Sequence, residues 1–180
     1  MKIQVMVIFV SSLMGISHIA FGANSLCESN ENVYFSCSTK TGKILSLCGK
    51  VIDKDKYGKR VEFDDQWLQY RFGLPTKIEL VYPRKKVNSI TNFKAEIIRA
   101  QGGLAHIDAV IFVSGGIGYS VESVSPNTGE VIEGVSVGDP KNFSIESQVK
   151  RKDKYPKAQI LCAEKANTDS FFDLVEYLSE

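Results

Sequence analysis

The sequence predicts a mainly β protein: an antiparallel β-sandwich or partly open barrel, closed by a C-terminal amphipathic helix and braced by disulfides. Three observations point there. Apolar and polar residues alternate with period two in short runs, and turn residues punctuate those runs at regular spacing. All four cysteines also follow an N-terminus that reads as an export leader.

Taken in order, Val33, Phe35 and Cys37 alternate with Tyr34 and Ser36, Thr39-Lys40-Thr41-Gly42 turns the chain, and residues 44–51 return. This is a hairpin with Cys37 and Cys48 on its two arms. Leu68, Tyr70 and Phe72 oppose Trp67, Gln69 and Arg71. After Gly73-Leu74-Pro75, Ile78, Leu80 and Tyr82 alternate with Lys77 and Glu79, a second hairpin. Residues 93–100 turn at Gly102-Gly103 into 106–113, and Ser114-Gly115-Gly116 turns that run into 119–124. The turn 125–129 leads to Val131, Glu133, Val135 and Val137, Pro140 blocks continuation, and residues 158–162 form a last strand. Nine or ten strands with little helix between them indicate antiparallel architecture. The helix is expected over 167–180, where Phe171, Leu174, Val175 and Leu178 share one face. Thr168, Asp169 and Ser170 offer N-caps, and Asp173 sits three after Ser170 as in a capping box.

Residues 1–22 read as a signal peptide: Lys2, an apolar stretch, then Ala20-Phe21-Gly22 with small residues where a signal peptidase cuts. The apolar part is shorter than the roughly 20 residues of a membrane span. Residues 23–180 are then one β-rich domain, periplasmic or secreted, with no stable membrane insertion after cleavage. The whole chain carries +1. Losing Lys2 leaves the rest near neutral, which gives no bias toward nucleic acid. Cys27, Cys37, Cys48 and Cys162 are even in number, lack a C-x-x-C pair and have no histidine-rich neighbourhood, so they are expected to form two disulfides rather than a metal site. Three connectivities are open, each bridge worth about 2–4 kcal/mol.

Candidate chemistry is sparse. Outside the leader the only histidine is His106, which a hydrolase would pair with Ser114 or Asp108; a strand-end histidine bound to backbone is the commoner situation. Asp53, Asp55, Gly58 and Asp64 partly match a calcium loop. Position five is Tyr57 and three lysines and Arg60 crowd it, so a polar connection is the expectation. Asp64 and Asp65 are neighbours on a strand and face apart. The glycine-rich Ser114-Gly115-Gly116-Ile117-Gly118-Tyr119 suits either a tight turn or amides converging on a partner. Two basic clusters, Arg84-Lys85-Lys86 and Lys150-Arg151-Lys152 with Lys154 and Lys157, are solvated loops unless they converge on an acidic partner. No cofactor is expected.

Phe35-Ser36-Cys37, Gly42-Lys43 and Ser46-Leu47-Cys48, followed by Tyr70-Arg71-Phe72-Gly73 and Glu79-Leu80-Val81-Tyr82-Pro83, resemble a group of uncharacterised exported bacterial cysteine-containing β-proteins. That resemblance implies a periplasmic immunity protein against a secreted antibacterial effector. Ser114-Gly115-Gly116 with Tyr119 is similar to the Ser-Gly-x-Gly…Tyr loop of periplasmic C-type lysozyme inhibitors. Here the second glycine comes one residue early and Ile117 is inserted. Both resemblances imply a non-enzyme that occludes an envelope-targeting enzyme or toxin. Its contacts would be Ser114, Gly115, Gly116 and Tyr119 with Arg84, Lys85 and Lys86. The alternatives are a small-molecule or lipid carrier and a hydrolase using His106.

Overall fold

A computed structural model of the chain describes residues 25–99, 105–140 and 158–180. The leader and its cleavage point, the Gly102-Gly103 turn and the basic cluster Lys150–Lys157 lie outside the described residues. Among the described residues nine strands form two antiparallel meanders. The first is β1 (Asn32–Ser38), β2 (Ile44–Lys54), β3 (Arg60–Leu74) and β4 (Lys77–Tyr82). The second is β5 (Lys94–Arg99), β6 (Ala105–Ser114), β7 (Ile117–Pro126), β8 (Ile132–Gly138) and β9 (Ala158–Leu161). Within each sheet the strands follow one another in space as in sequence. The sheets do not close into a barrel, so the architecture is sandwich-like.

The period-two pattern explains the core. Phe35, Cys37, Leu45, Leu47, Leu68 and Tyr70 of the first sheet meet Val110, Phe112, Val121 and Val135 of the second. Burying each large side chain contributes roughly 1.5–3 kcal/mol. Aromatic rings bridge the layers. Tyr82 and Tyr119 stack on Phe112 with centroids 4.9 Å away in both cases, Tyr70 lies 5.0 Å from it and Phe93 5.4 Å. α1 (Phe171–Ser179) adds Phe171, Leu174 and Val175 to the same core.

The disulfides are Cys27–Cys48 and Cys37–Cys162. Cys37 and Cys48 share a hairpin yet cannot pair. Cys37 stands opposite Leu45, and Cys48, three residues further along β2 and opposite Val33, faces the other side of the sheet. Cys37 belongs to the core, whereas Cys48 ties down the segment preceding β1. Cys162 marks the place where the chain crosses between sheets. Its amide donates to the Glu133 carbonyl of β8, and the next amide, Ala163, donates to Ser38 of β1. Ser36 and Asn167 then exchange two backbone bonds.

The helix begins at Phe171 with Ser170, one of the offered residues, at its N-cap, while Asn167 is held in extended pairing with Ser36. Two expectations need correction. The capping box does not form: Ser170 is the N-cap but makes no side-chain cap bond. Tertiary contacts hold the helix instead. Phe171 packs edge-on to Phe35 at 5.2 Å, Lys54 meets Asp173 at 2.6 Å, and Tyr177 bonds Gln66 and Glu62. β3 also starts at Arg60, well before the apolar run at Trp67, since backbone pairing with β2 carries a charged segment into the ladder.

Candidate functional site

β4 is an edge strand. Among the described residues its only ladder partner is β3. Pro83, with no N–H, follows it, and the connection to β5 is anchored on β3 by Ser89, whose hydroxyl accepts from the Leu68 amide (3.0 Å) and donates to the Leu68 carbonyl (2.8 Å). Along this edge runs an open groove of about 680 Å3, lined by residues 78–82, Pro83, Arg84 and, across it, Ser114. The groove therefore brings together members of two segments singled out in the sequence, the Arg84-Lys85-Lys86 cluster and the glycine-rich turn.

The members of those segments differ in what they are free to do. Arg84 and Lys85 are exposed, and among the described residues neither has an ionic partner. Lys86 is engaged within the molecule. Its ammonium lies 2.7 Å from Glu31 and 3.5 Å from Glu28, and sits 4.5 Å above the Trp67 ring. Gly115 and Gly116 have φ of 58° and 76° and occupy the two central positions of the β6–β7 hairpin, as a type I′ turn demands. An added Cβ at either would touch nothing, so conformation rather than space requires glycine. Tyr119 is half-buried and stacks on Phe112, with ring planes 4° apart. Its ring belongs to the core, so truncating it would test packing as much as binding. Ser114 is the member of this turn that faces the groove.

Glu31 and Arg71 form a buried ion pair beneath this region. Arg71 donates twice to the Glu31 carboxylate (2.7 and 2.8 Å), once to the Leu26 carbonyl and once to Gln69. Burial pushes the Glu31 carboxyl up, but hydrogen bonds from Arg71, Lys86 and the Glu28 amide outweigh it and hold the group below its ordinary range. The cluster fixes the segment before β1 against the outer face of the first sheet, the same face that Cys48 grips.

His106 occupies a separate depression of about 450 Å3 with Arg99, Asp108, Ser125 and, from α1, Phe172 and Glu176. Its Nε2 lies 2.9 Å from Asp108, and its Nδ1 3.2 Å from the Arg99 guanidinium. Since arginine only donates, Nδ1 accepts and Nε2–H donates to Asp108. Both ring nitrogens are thus occupied, and Ser125, directly across the β6–β7 ladder, has no free base beside it. Ser114 stands at the opposite end of the 10-residue β6, out of reach.

Among the described residues the only close group of metal-ligating types is Cys27, Glu31 and Cys48, and both sulfurs are in the disulfide. In the calcium-like loop, Asp55 accepts the Tyr57 and Lys59 amides and Asp53 the Lys54 amide, a turn capping itself. Asp64 and Asp65 are exposed on β3. Sequence reasoning missed buried Glu122 on β7, which accepts from the Ser136 and Ser120 hydroxyls; burial pushes its carboxyl up more than those bonds lower it. It placed β4 as the return arm of a hairpin but did not single it out as an open edge. A strand's apolar alternation reports its buried face and carries no mark of whether its edge is paired.

Compared with protein-family models, curated proteins and solved structures, the chain matches none. No helix among the described residues is long and apolar enough to cross a membrane. The two disulfides fit an extracytoplasmic compartment.

Proposed function

We propose that this chain is a periplasmic binding protein that neutralises a protein partner by steric occlusion, as an immunity protein or an inhibitor of an envelope-attacking enzyme. The observation that carries this reading is the convergence of Arg84 and Ser114, 30 positions apart in sequence, on one open groove beside a strand whose outer edge has no ladder partner among the described residues. The scaffold around it is rigid, with two disulfides and an aromatic stack spanning both sheets, so little entropy is lost on docking. The leader-like residues 1–22 and the disulfides together support the periplasm.

The rival readings draw less support. A hydrolase using His106 needs a ring nitrogen to take a proton, and Asp108 and Arg99 engage both. A lipid carrier needs an apolar chamber, whereas Tyr34, Phe35, Tyr70, Phe112 and Phe171 fill the space between the sheets.

The test is recovery of the full-length chain, tagged at its C-terminus, from the periplasm of its host, with mass spectrometry of what accompanies it. A stoichiometric envelope-degrading enzyme whose activity the pure protein suppresses is the expected result. Retained lipid or a small molecule without a protein partner refutes the proposal and favours the carrier. A His106→Ala variant is expected to keep full biological effect; loss of that effect with the fold intact would favour the hydrolase.

A further inference from the structure

We infer that β4 is a docking edge to which an extended acidic segment of a partner adds as an extra antiparallel or parallel strand. This rests on the binding reading above and deepens it by naming the mode and the chemistry of the occupant.

Among the described residues the other sheet edges are bridged, packed by the helix or short. The β1 edge is bridged by the segment that follows β9, through Ser36–Asn167 and Thr39–Cys162. β5 is packed by α1. β9 offers four residues, but β4 offers six, all exposed or half-exposed. An edge strand leaves half its N–H and C=O groups pointing outward, a template for another extended chain about 4.8 Å away. The groove along β4 provides that space, and recognition by strand addition combines such main-chain bonds with side-chain contacts at alternate positions.

Charge selects the occupant. Glu79, the only acid on β4, is neutralised by Lys43 at 2.7 Å. What remains is Lys77 at one end of the strand and Arg84 and Lys85 at the other, exposed and without ionic partners among the described residues. A second copy pairing antiparallel through β4 would set Lys77 of one chain near Arg84 and Lys85 of the other, like against like. An acidic strand meets complementary charge at both ends.

The experiment titrates the isotope-labelled full chain with three short synthetic peptides that alternate threonine or valine with a charged residue. One carries glutamate, one lysine, and the third is the glutamate peptide with alternate backbone nitrogens methylated. The glutamate peptide is expected to give saturable shifts centred on β4 and residues 83–85, and to slow exchange of β4 amides about tenfold or more. The lysine and methylated peptides, and the glutamate peptide on an Arg84→Glu/Lys85→Glu variant, should bind roughly tenfold or more weakly. Both substituted side chains are exposed, so the variant keeps its fold. Absence of binding, shifts elsewhere, or equal binding of the methylated peptide overturns the inference. So does β4 protection that grows with protein concentration alone, which identifies a second copy. If a host partner is recovered equally by the wild type and by Arg84→Glu/Lys85→Glu, strand addition fails while the neutralising function stands. If the peptides bind as expected but no protein partner is recovered, that function fails and the docking edge remains.

Discussion

Replacing Glu31 with glutamine should remove a large part of the protein's stability, although the change deletes no carbon and alters shape little. The Glu31 side chain is 1% exposed and takes four donors: two from Arg71, one from Lys86 and the Glu28 amide. An amide presents one oxygen and two hydrogens, so at least one Arg71 N–H would face another donor, and the guanidinium would lose its counter-charge while 5% exposed. Breaking one side of a buried ion pair costs about 3–5 kcal/mol. For a chain of this size that is a fall in Tm of roughly 10–15 °C. Urea unfolding followed by fluorescence is suited to the measurement, because the single tryptophan, Trp67, lies directly under Lys86. The cost should also depend on pH. The folded carboxyl sits below its ordinary value of 4.5, so the stability it contributes is present above that value and is lost as pH falls through the folded one. The wild type and Glu31→Gln should therefore converge in acid. A loss under about 1 kcal/mol at neutral pH, or a gap that stays constant into acid, would refute the claim that this carboxylate anchors the segment before β1.

Glu122 should behave in the opposite sense. Its folded carboxyl is raised above 4.5 by burial, so the native state keeps a proton that the unfolded chain has released, and its contribution falls as pH rises from 4.5 toward the folded value. Glu122→Gln is expected to raise the urea midpoint at neutral pH and leave it unchanged near pH 4; a lower midpoint at neutral pH would show that the charged form is the stable one. Tyr34→Phe should cost about 2–3 kcal/mol in the same assay, since the hydroxyl accepts the Val51 and Ile52 amides and donates to the Ile52 carbonyl at the β2 bulge. An effect below about 0.5 kcal/mol would mean those groups find other partners. Replacing Cys37 and Cys162 together by serine should cost about 5 kcal/mol from loop closure over a separation of 125, read by calorimetry as a lower Tm. For Cys27 and Cys48, separated by 21, the corresponding loss is about 3 kcal/mol, and the reverse order would refute the chain-entropy account.

Much of the fold is legible in the linear chain because a strand's side-chain period is a local property. The alternation at Phe35 and Cys37, at Leu68, Tyr70 and Phe72, and at Val135 and Val137 locates strands and their buried faces. Gly115-Gly116 marks a hairpin turn through the positive φ that only glycine adopts freely. An even set of cysteines behind a leader-like N-terminus indicates bridges, and two formed. Where a feature depends on what lies across space, the local pattern is silent. Cysteine pairing followed from the register of β1 and β2, which sets Cys48 three residues beyond the partner of Cys37 and on the other face, and the helix start from an extended bond between Asn167 and Ser36. Lys86 looks like its neighbours Arg84 and Lys85 in sequence, but only Lys86 has Glu31 and Trp67 within reach. The open edge of β4 and the meeting of Arg84 with Ser114 likewise come from strand order and sheet packing. Backbone hydrogen bonds between strands are indifferent to side-chain identity, so the sequence by itself determined which segments are strands and which face of each is buried. Only the tertiary structure decided which strand was left at the edge and which charges were left unpaired beside it.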